Sequence, residues 1–137
     1  MKSIKNPKIV LVDDDDSFGL IMTRVAEINN VQLDYFSSVS EMGFISALNS
    51  YDVAIVDYYL NGMNGLEVAE YIPHFFQNLQ MVLISGKPMD AVTAGGYPDC
   101  IKEVLNKSSG YEAILRAALT LGGPKHAPEV MVYNQAV

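Results

Sequence analysis

The sequence predicts an α/β fold, a doubly wound five-stranded parallel sheet with helices on both faces, and three observations lead there. Short β-branched runs alternate with longer segments of helical period, which is the pattern of βαβ units. Three of the runs, Ile9-Val10-Leu11-Val12, Val53-Ala54-Ile55-Val56 and Met81-Val82-Leu83-Ile84, are apolar without interruption, as strands covered on both faces are. The length of 137 residues matches one domain at a prior of roughly 150. Such a chain buries about 68% of its unfolded surface and needs no disulfide or metal to fold.

The elements follow in order. Strands are expected over residues 8–12, 31–35, 53–56, 80–84 and 101–105. The first helix spans 17–28, with Leu20, Ile21, Val25 and Ile28 near helical spacing. The second starts at Ser38, whose hydroxyl caps while Glu41 closes a capping box. The third starts near Gly65 with Leu66, Val68, Ala69 and Ile72, and bends or restarts at Pro73, which lacks a backbone donor. The fourth is short, residues 89–94, before Gly95-Gly96 and Pro98. The last begins at Ser109 with Glu112 as its capping-box partner and stops at Gly122-Gly123. This alternation is a (βα)5, flavodoxin-like arrangement occupying residues 1–123. Residues 124–137 are left as a C-terminal tail whose Val130 and Val132 suit an edge strand or a partner-binding strip.

Composition excludes several function classes. Nine basic against sixteen acidic side chains give −7, the wrong sign for a nucleic-acid footprint. The lone Cys100 rules out a disulfide framework and a four-cysteine zinc site and suits a reducing cytoplasm. No apolar run approaches the ~18 residues of a membrane span. Lys2, Lys5 and Lys8 precede only four apolar residues before the aspartates begin, so there is no signal-peptide core.

In doubly wound sheets ligands sit at the carboxyl ends of the strands, near the switch in strand order. Here the first strand runs into Asp13-Asp14-Asp15-Asp16, the third ends at Asp57, the fourth at Ser85 and the fifth at Lys107. Two carboxylates ~4 Å apart at an effective dielectric near 20 repel by about 4 kcal/mol. Asp13, Asp14 and Asp57 are therefore costly together unless one is protonated or a cation joins them. Mg²⁺ suits such a group, since it takes one or two carboxylates, waters and a phosphate oxygen. An aspartate facing a metal, an ammonium and a hydroxyl is placed to attack phosphorus and form an acyl phosphate. Each residue alone has a plainer reading: Asp14 or Asp57 as a helix cap, Ser85-Gly86 as a turn, Lys107 as a solvated charge. Asp15 and Asp16 are assigned to the positive end of the first helix. Four strand ends each delivering a required group raise the set above its members.

The pattern resembles the receiver domain of two-component response regulators, over about residues 7 to 122. The matching stretches are Ile9-Val10-Leu11-Val12-Asp13-Asp14, Ala54-Ile55-Val56-Asp57 followed by Gly62-Met63-Asn64-Gly65-Leu66-Glu67, Val82-Leu83-Ile84-Ser85-Gly86, and Val104-Leu105-Asn106-Lys107. The resemblance implies that Asp57 accepts a phosphoryl group from a histidine kinase or histidine phosphotransfer protein. It implies Mg²⁺ on Asp13, Asp14, Asp57 and the backbone carbonyl of Tyr59, with Asp14 the more direct ligand. Ser85 would bind a phosphoryl oxygen and move as the switch, and Lys107 would pair with the phosphate. All these roles are filled, so the domain is read as competent for phosphorylation: a stand-alone cytoplasmic signalling protein, catalysing only its own phosphorylation and dephosphorylation. Its output is through an unidentified protein partner, with no nucleic acid or membrane, and a phosphorylation-dependent homodimer is compatible with this reading.

The departures carry expectations of their own. Asn61 stands where the family usually places Pro, and Ser108 where it has a Pro in a cis peptide. A non-proline cis bond costs ~2.5–4 kcal/mol, so Lys107–Ser108 is expected trans. The aromatic switch residue is replaced by Val104, so output is expected to run through reordering of residues 86–100. Tyr59 is expected to hinder attacking water and slow dephosphorylation. The alternative is a phosphatase of the haloacid-dehalogenase type using Asp13 and Asp15. Against it, Ser17 replaces the favoured Thr or Val, no acidic pair follows the lysine, and Asp57 is left without a purpose. A flavodoxin-like cofactor site is discounted because four aspartates repel a phosphate at the first loop.

Overall fold

A computed structural model describes residues 7–38, 51–60, 63–65, 67–69, 79–87 and 99–122. Its elements are β1 (Ile9–Val12), α1 (Asp16–Ile28), β2 (Leu33–Phe36), β3 (Val53–Asp57), β4 (Tyr59–Leu60), β5 (Met63–Asn64), β6 (Gln80–Ser85), β7 (Ile101–Asn106), a 3-10 turn (Lys107–Ser109) and α2 (Tyr111–Gly122). Five strands form one parallel sheet in the order β2-β1-β3-β6-β7, as the apolar runs predict. The order reverses at β1, which pairs with β2 on one side and β3 on the other, and a crevice is expected beside it at the carboxyl ends of the strands.

Strand pleating divides the core. Ile9, Leu11 and Ile55 point to one face, where Phe18, Met22 and Val25 of α1 and Ile114, Leu115 and Ala118 of α2 cover them. Val10, Val12, Ala54 and Val56 point to the other, against Val68 and Ala69, which are helical. All four residues of β1 and all five of β3 are buried. Among the described residues no helix is long and apolar enough to cross a membrane.

Several expectations are corrected. The buried stripe of α1 is Phe18, Met22, Val25 and Ala26, whereas Leu20 is 66% exposed and Ile28 38%. An i, i+4, i+7, i+8 set starting at Phe18 gives the better helical face than one starting at Leu20. The second strand starts two residues later than expected, at Leu33. Ser109 does not cap the last helix. Asn106 instead receives the Ser108 N–H at 2.8 Å and caps the 3-10 turn. Gly110 then takes φ 102, a left-handed conformation that glycine adopts without a Cβ penalty, and α2 starts at Tyr111. Gly122 is the last residue of α2, and a Cβ there would fall 2.5 Å from Val53 Cγ2; Gly123, the other half of the expected stop, lies outside the described residues. The short antiparallel pair β4–β5 was not expected. No peptide bond among the described residues is cis, and Lys107–Ser108 is trans as expected. The body of the helix expected to start at Ser38, the helix expected at 89–94, the bend at Pro73, Asn61 and the tail lie outside the described residues.

Candidate functional site

Register alone assembles most of the site. Val12 pairs with Val56 across β1 and β3, so the next residues on the two strands, Asp13 and Asp57, stand side by side. Ile84 pairs with Asp57, and Ser85 with Asn106, which brings Ser85 and Lys107 to the same rim.

Asp13 is fully buried and Asp57 is 4% exposed. Asp13 Oδ1 accepts the Asp15 N–H at 2.9 Å. Its Oδ2 lies 2.7 Å from Lys107 Nζ as an ion pair. Asp57 Oδ1 accepts the Tyr59 N–H at 3.2 Å, while Oδ2 meets Lys107 Nζ at 3.2 Å. One ammonium is thus shared between two carboxylates, and it rests on the Phe18 ring, 4.5 Å from the centroid. Burial pushes the Asp13 carboxyl up to about 6, with the Asp57 charge adding to that effect and Lys107 and the Asp15 N–H opposing it. Burial also works against the Lys107 ammonium, but the contacts with Asp13 and Asp57 outweigh it and hold the lysine above its ordinary value. The pair is electrically strained on the acid side, with two negative charges facing one positive.

Asp14 is exposed, and its carboxylate joins those of Asp13 and Asp57 with ligand oxygens all within 4.8 Å of one another. A cavity of about 460 Å³ opens over this group, lined among others by Asp14, Asp57, Tyr59, Gly86, Lys87 and Lys107. Ser85 is 2% exposed. Its hydroxyl donates to Lys87 O and accepts the Lys87 N–H at 3.1 Å, so it is engaged within its own turn. Asp15 and Asp16 behave as the helix-terminus reading expects. Asp15 Oδ1 accepts the Ser17 and Phe18 N–H groups at 3.1 and 3.2 Å, and Asp16 lies in the first turn of α1. Val104 is half-buried against the core face of Val10 and Val12.

Four contributors escaped the sequence reading. Tyr35, on β2, shares its hydroxyl proton between Asp13 O at 2.7 Å and Asp16 Oδ1 at 2.8 Å, clamping the first loop. Phe18 supports Lys107. Asn64 lines the cavity, and its Oδ1 accepts the Glu67 N–H at 2.9 Å. Lys87 lies over the Tyr59 ring. Only Asn64, three residues before Glu67 and followed by Gly65, carried a local signal, that of a helix cap.

The chain spans 16% of an Arabidopsis thaliana protein named as a two-component response regulator, ARR13, and is 29% identical to it over 92 residues, 63% of this chain. Three solved structures are similar in fold. The Francisella response regulator 1452 receiver domain has TM-score 0.68 at 20% identity, covering 85% of this chain and 96% of its own. The non-phosphorylated HemR receiver domain of Leptospira biflexa has TM-score 0.72 at 21% identity, with 86% and 98% covered. TrrA of Thermotoga maritima, solved in complex with Mg²⁺-BeF, has TM-score 0.69 at 19% identity, with 84% and 98% covered. The family model of the response regulator receiver domain matches residues 9–119. With that match spanning every strand of the sheet and all the rim residues, the chain belongs to the response regulator receiver domain family.

Proposed function

We propose that this receiver domain works by phosphorylation of Asp57, taking the phosphoryl group from a histidine kinase or histidine phosphotransfer protein and switching its contacts with another protein. The observation that carries this reading is the setting of Asp57: a nearly buried carboxylate at the mouth of an open cavity, with Lys107 on one oxygen and Asp13 and Asp14 close by. Asp13, Asp14, Asp57 and the Tyr59 carbonyl would hold Mg²⁺. Three carboxylates whose oxygens lie within 4.8 Å of one another, facing the single ammonium of Lys107, form an all-oxygen donor set with negative charge to spare, which suits a hard cation. When bound, that ion supplies positive charge against the oxygens of the transferring group.

The side chains supply the remaining steps. A carboxylate oxygen of Asp57 attacks phosphorus, the P–N bond to the donor imidazole breaks with its electron pair left on nitrogen, and an acyl phosphate remains. Lys107 exchanges its Asp57 contact for a phosphoryl oxygen without moving far, since Asp13 continues to hold it. Ser85 gives up Lys87 to bind another phosphoryl oxygen, and this change of partner begins the switch. With Val104 unable to act as a rotating ring, the output runs through residues 86–100, whose hydrogen exchange should differ with and without phosphate. The domain extends over 1–123, with 124–137 as a tail available to a partner. A phosphorylation-dependent homodimer is a further state of the same switch.

Asp15 counts against the phosphatase alternative, because its carboxylate is occupied as the cap of α1. The test is intact-mass measurement after treatment with acetyl phosphate and Mg²⁺. One added phosphoryl group is expected, with none after EDTA or in Asp57→Ala. Steady turnover of small phosphoesters that survives Asp57→Ala and is lost in Asp13→Asn would favour the phosphatase instead.

A further inference from the structure

The cavity above Asp57 is lined by two lysines, and only one of them is committed to the carboxylates. Lys87 is exposed and makes no ion pair among the described residues, although Asp14, Asp15 and Asp57 line the same cavity. Its ammonium lies over the Tyr59 ring instead, 5.2 Å from the centroid. That ring is braced in turn, meeting Tyr58 edge-on at 4.7 Å, and the Tyr59 N–H is bonded to the acceptor carboxylate itself. The Lys87 backbone is tied on both its N–H and its C=O to the Ser85 hydroxyl. A positive charge is therefore held at the cavity mouth by an aromatic platform fixed to Asp57 and by a turn fixed to Ser85.

We propose that Lys87 recruits the anionic phosphoryl donor, with Tyr59 as its resting place, and so sets the rate at which small acyl phosphates react at Asp57. This rests on Asp57 being the phosphoacceptor. An exposed cation–π contact is weak beside an ion pair with a phosphate dianion, so Lys87 leaves the ring when a dianion enters. The need for such a charge is plain at this rim. Without Lys87, the carboxylates of Asp13, Asp14, Asp15 and Asp57 outnumber the single ammonium of Lys107, and an incoming dianion meets net negative charge. Lys107 cannot serve as recruiter while it bridges Asp13 and Asp57. Lys87 is a positioning residue for the donor and takes no part in bond making.

The experiment compares initial rates of phosphorylation by acetyl phosphate at saturating Mg²⁺, across a range of ionic strength, for the unmodified protein, Lys87→Gln and Lys87→Arg. A unit charge ~7 Å from a dianion in water-like dielectric is worth about sevenfold. At low salt Lys87→Gln should therefore be about sevenfold slower, its rate should depend less steeply on salt, and Lys87→Arg should restore both. Because the side chain is exposed, the unfolding midpoint should be unchanged. Equal rates and equal salt dependence in Lys87→Gln overturn the recruitment role while leaving Asp57 as acceptor. A failure of the unmodified protein to gain any phosphoryl group overturns both, and the intact mass separates the two results.

Discussion

Replacing Gly19 by alanine should destabilise the protein, and the same change should stabilise it once Tyr35 is removed. The structure sets the magnitude. A Cβ at position 19 would lie 2.3, 2.4 and 2.5 Å from Cζ, Cε1 and Cε2 of Tyr35, against a favourable carbon–carbon separation of about 3.5–4.0 Å. The ring must therefore retreat by more than ~1 Å. It cannot do so and keep its hydroxyl on Asp13 O and Asp16 Oδ1. Overpacking of this kind costs roughly 1–3 kcal/mol, and loss of the hydrogen bond about 1 kcal/mol more. Alanine's better helix propensity returns about 1 kcal/mol. The net expectation for Gly19→Ala is a loss of about 1–3 kcal/mol. In a Tyr35→Ala background the clash and the hydrogen bond are both absent, and Gly19→Ala should gain about 1 kcal/mol from propensity alone. Urea titration of the four proteins of this cycle measures the effect as shifts in midpoint at constant slope. An equal loss from Gly19→Ala in both backgrounds would refute the argument, because it would place the cost of the methyl group somewhere other than the Tyr35 ring.

Asp15→Ala should cost about 1 kcal/mol of stability by stripping the cap from two amides of α1. Asp15→Asn should recover most of it and still accept a phosphoryl group, which intact mass reads directly. Ile55→Ala, at a fully buried central position, should cost about 2–5 kcal/mol in the same urea assay. Burial, followed by the hydrogen bond to the Asp34 carboxylate, raises the Tyr51 hydroxyl above its ordinary range. A raised folded-state pKa means that the folded protein holds this proton more tightly, so stability should fall as the pH climbs past 10, the value for free tyrosine. Tyr51→Phe should flatten that alkaline limb. Tyr59→Asn should hasten loss of the phosphoryl group after acetyl phosphate is removed, and an unchanged decay would dismiss the shielding role of the ring.

How much was readable before folding differs from element to element. The central strands were plain because strands covered on both faces must be apolar at every position, and Ile9–Val12 and Val53–Asp57 are buried throughout. Helix boundaries were less so. The capping-box pattern at Ser109 and Glu112 is a real local preference, yet Asn106 caps an earlier 3-10 turn and Gly110 alone can bridge from it into α2. The exposure of Leu20 shows the same limit: helical spacing identifies a stripe, but which stripe is buried depends on where the helix rests on the sheet.

The sequence by itself determined which groups stand at the rim. An apolar run that ends in Asp13, Asp57, Ser85 or before Lys107 delivers its polar residue to the carboxyl edge of any parallel sheet it joins. Parallel pairing with β1 beside β3 then places Asp13 against Asp57. Only the tertiary structure decided how those groups are held: Lys107 shared between two carboxylates above Phe18, Tyr35 clamping the first loop over Gly19, and Lys87 laid on Tyr59. These contacts join residues from separate elements, and their distances depend on strand order and helix seating, which no local pattern along the chain encodes.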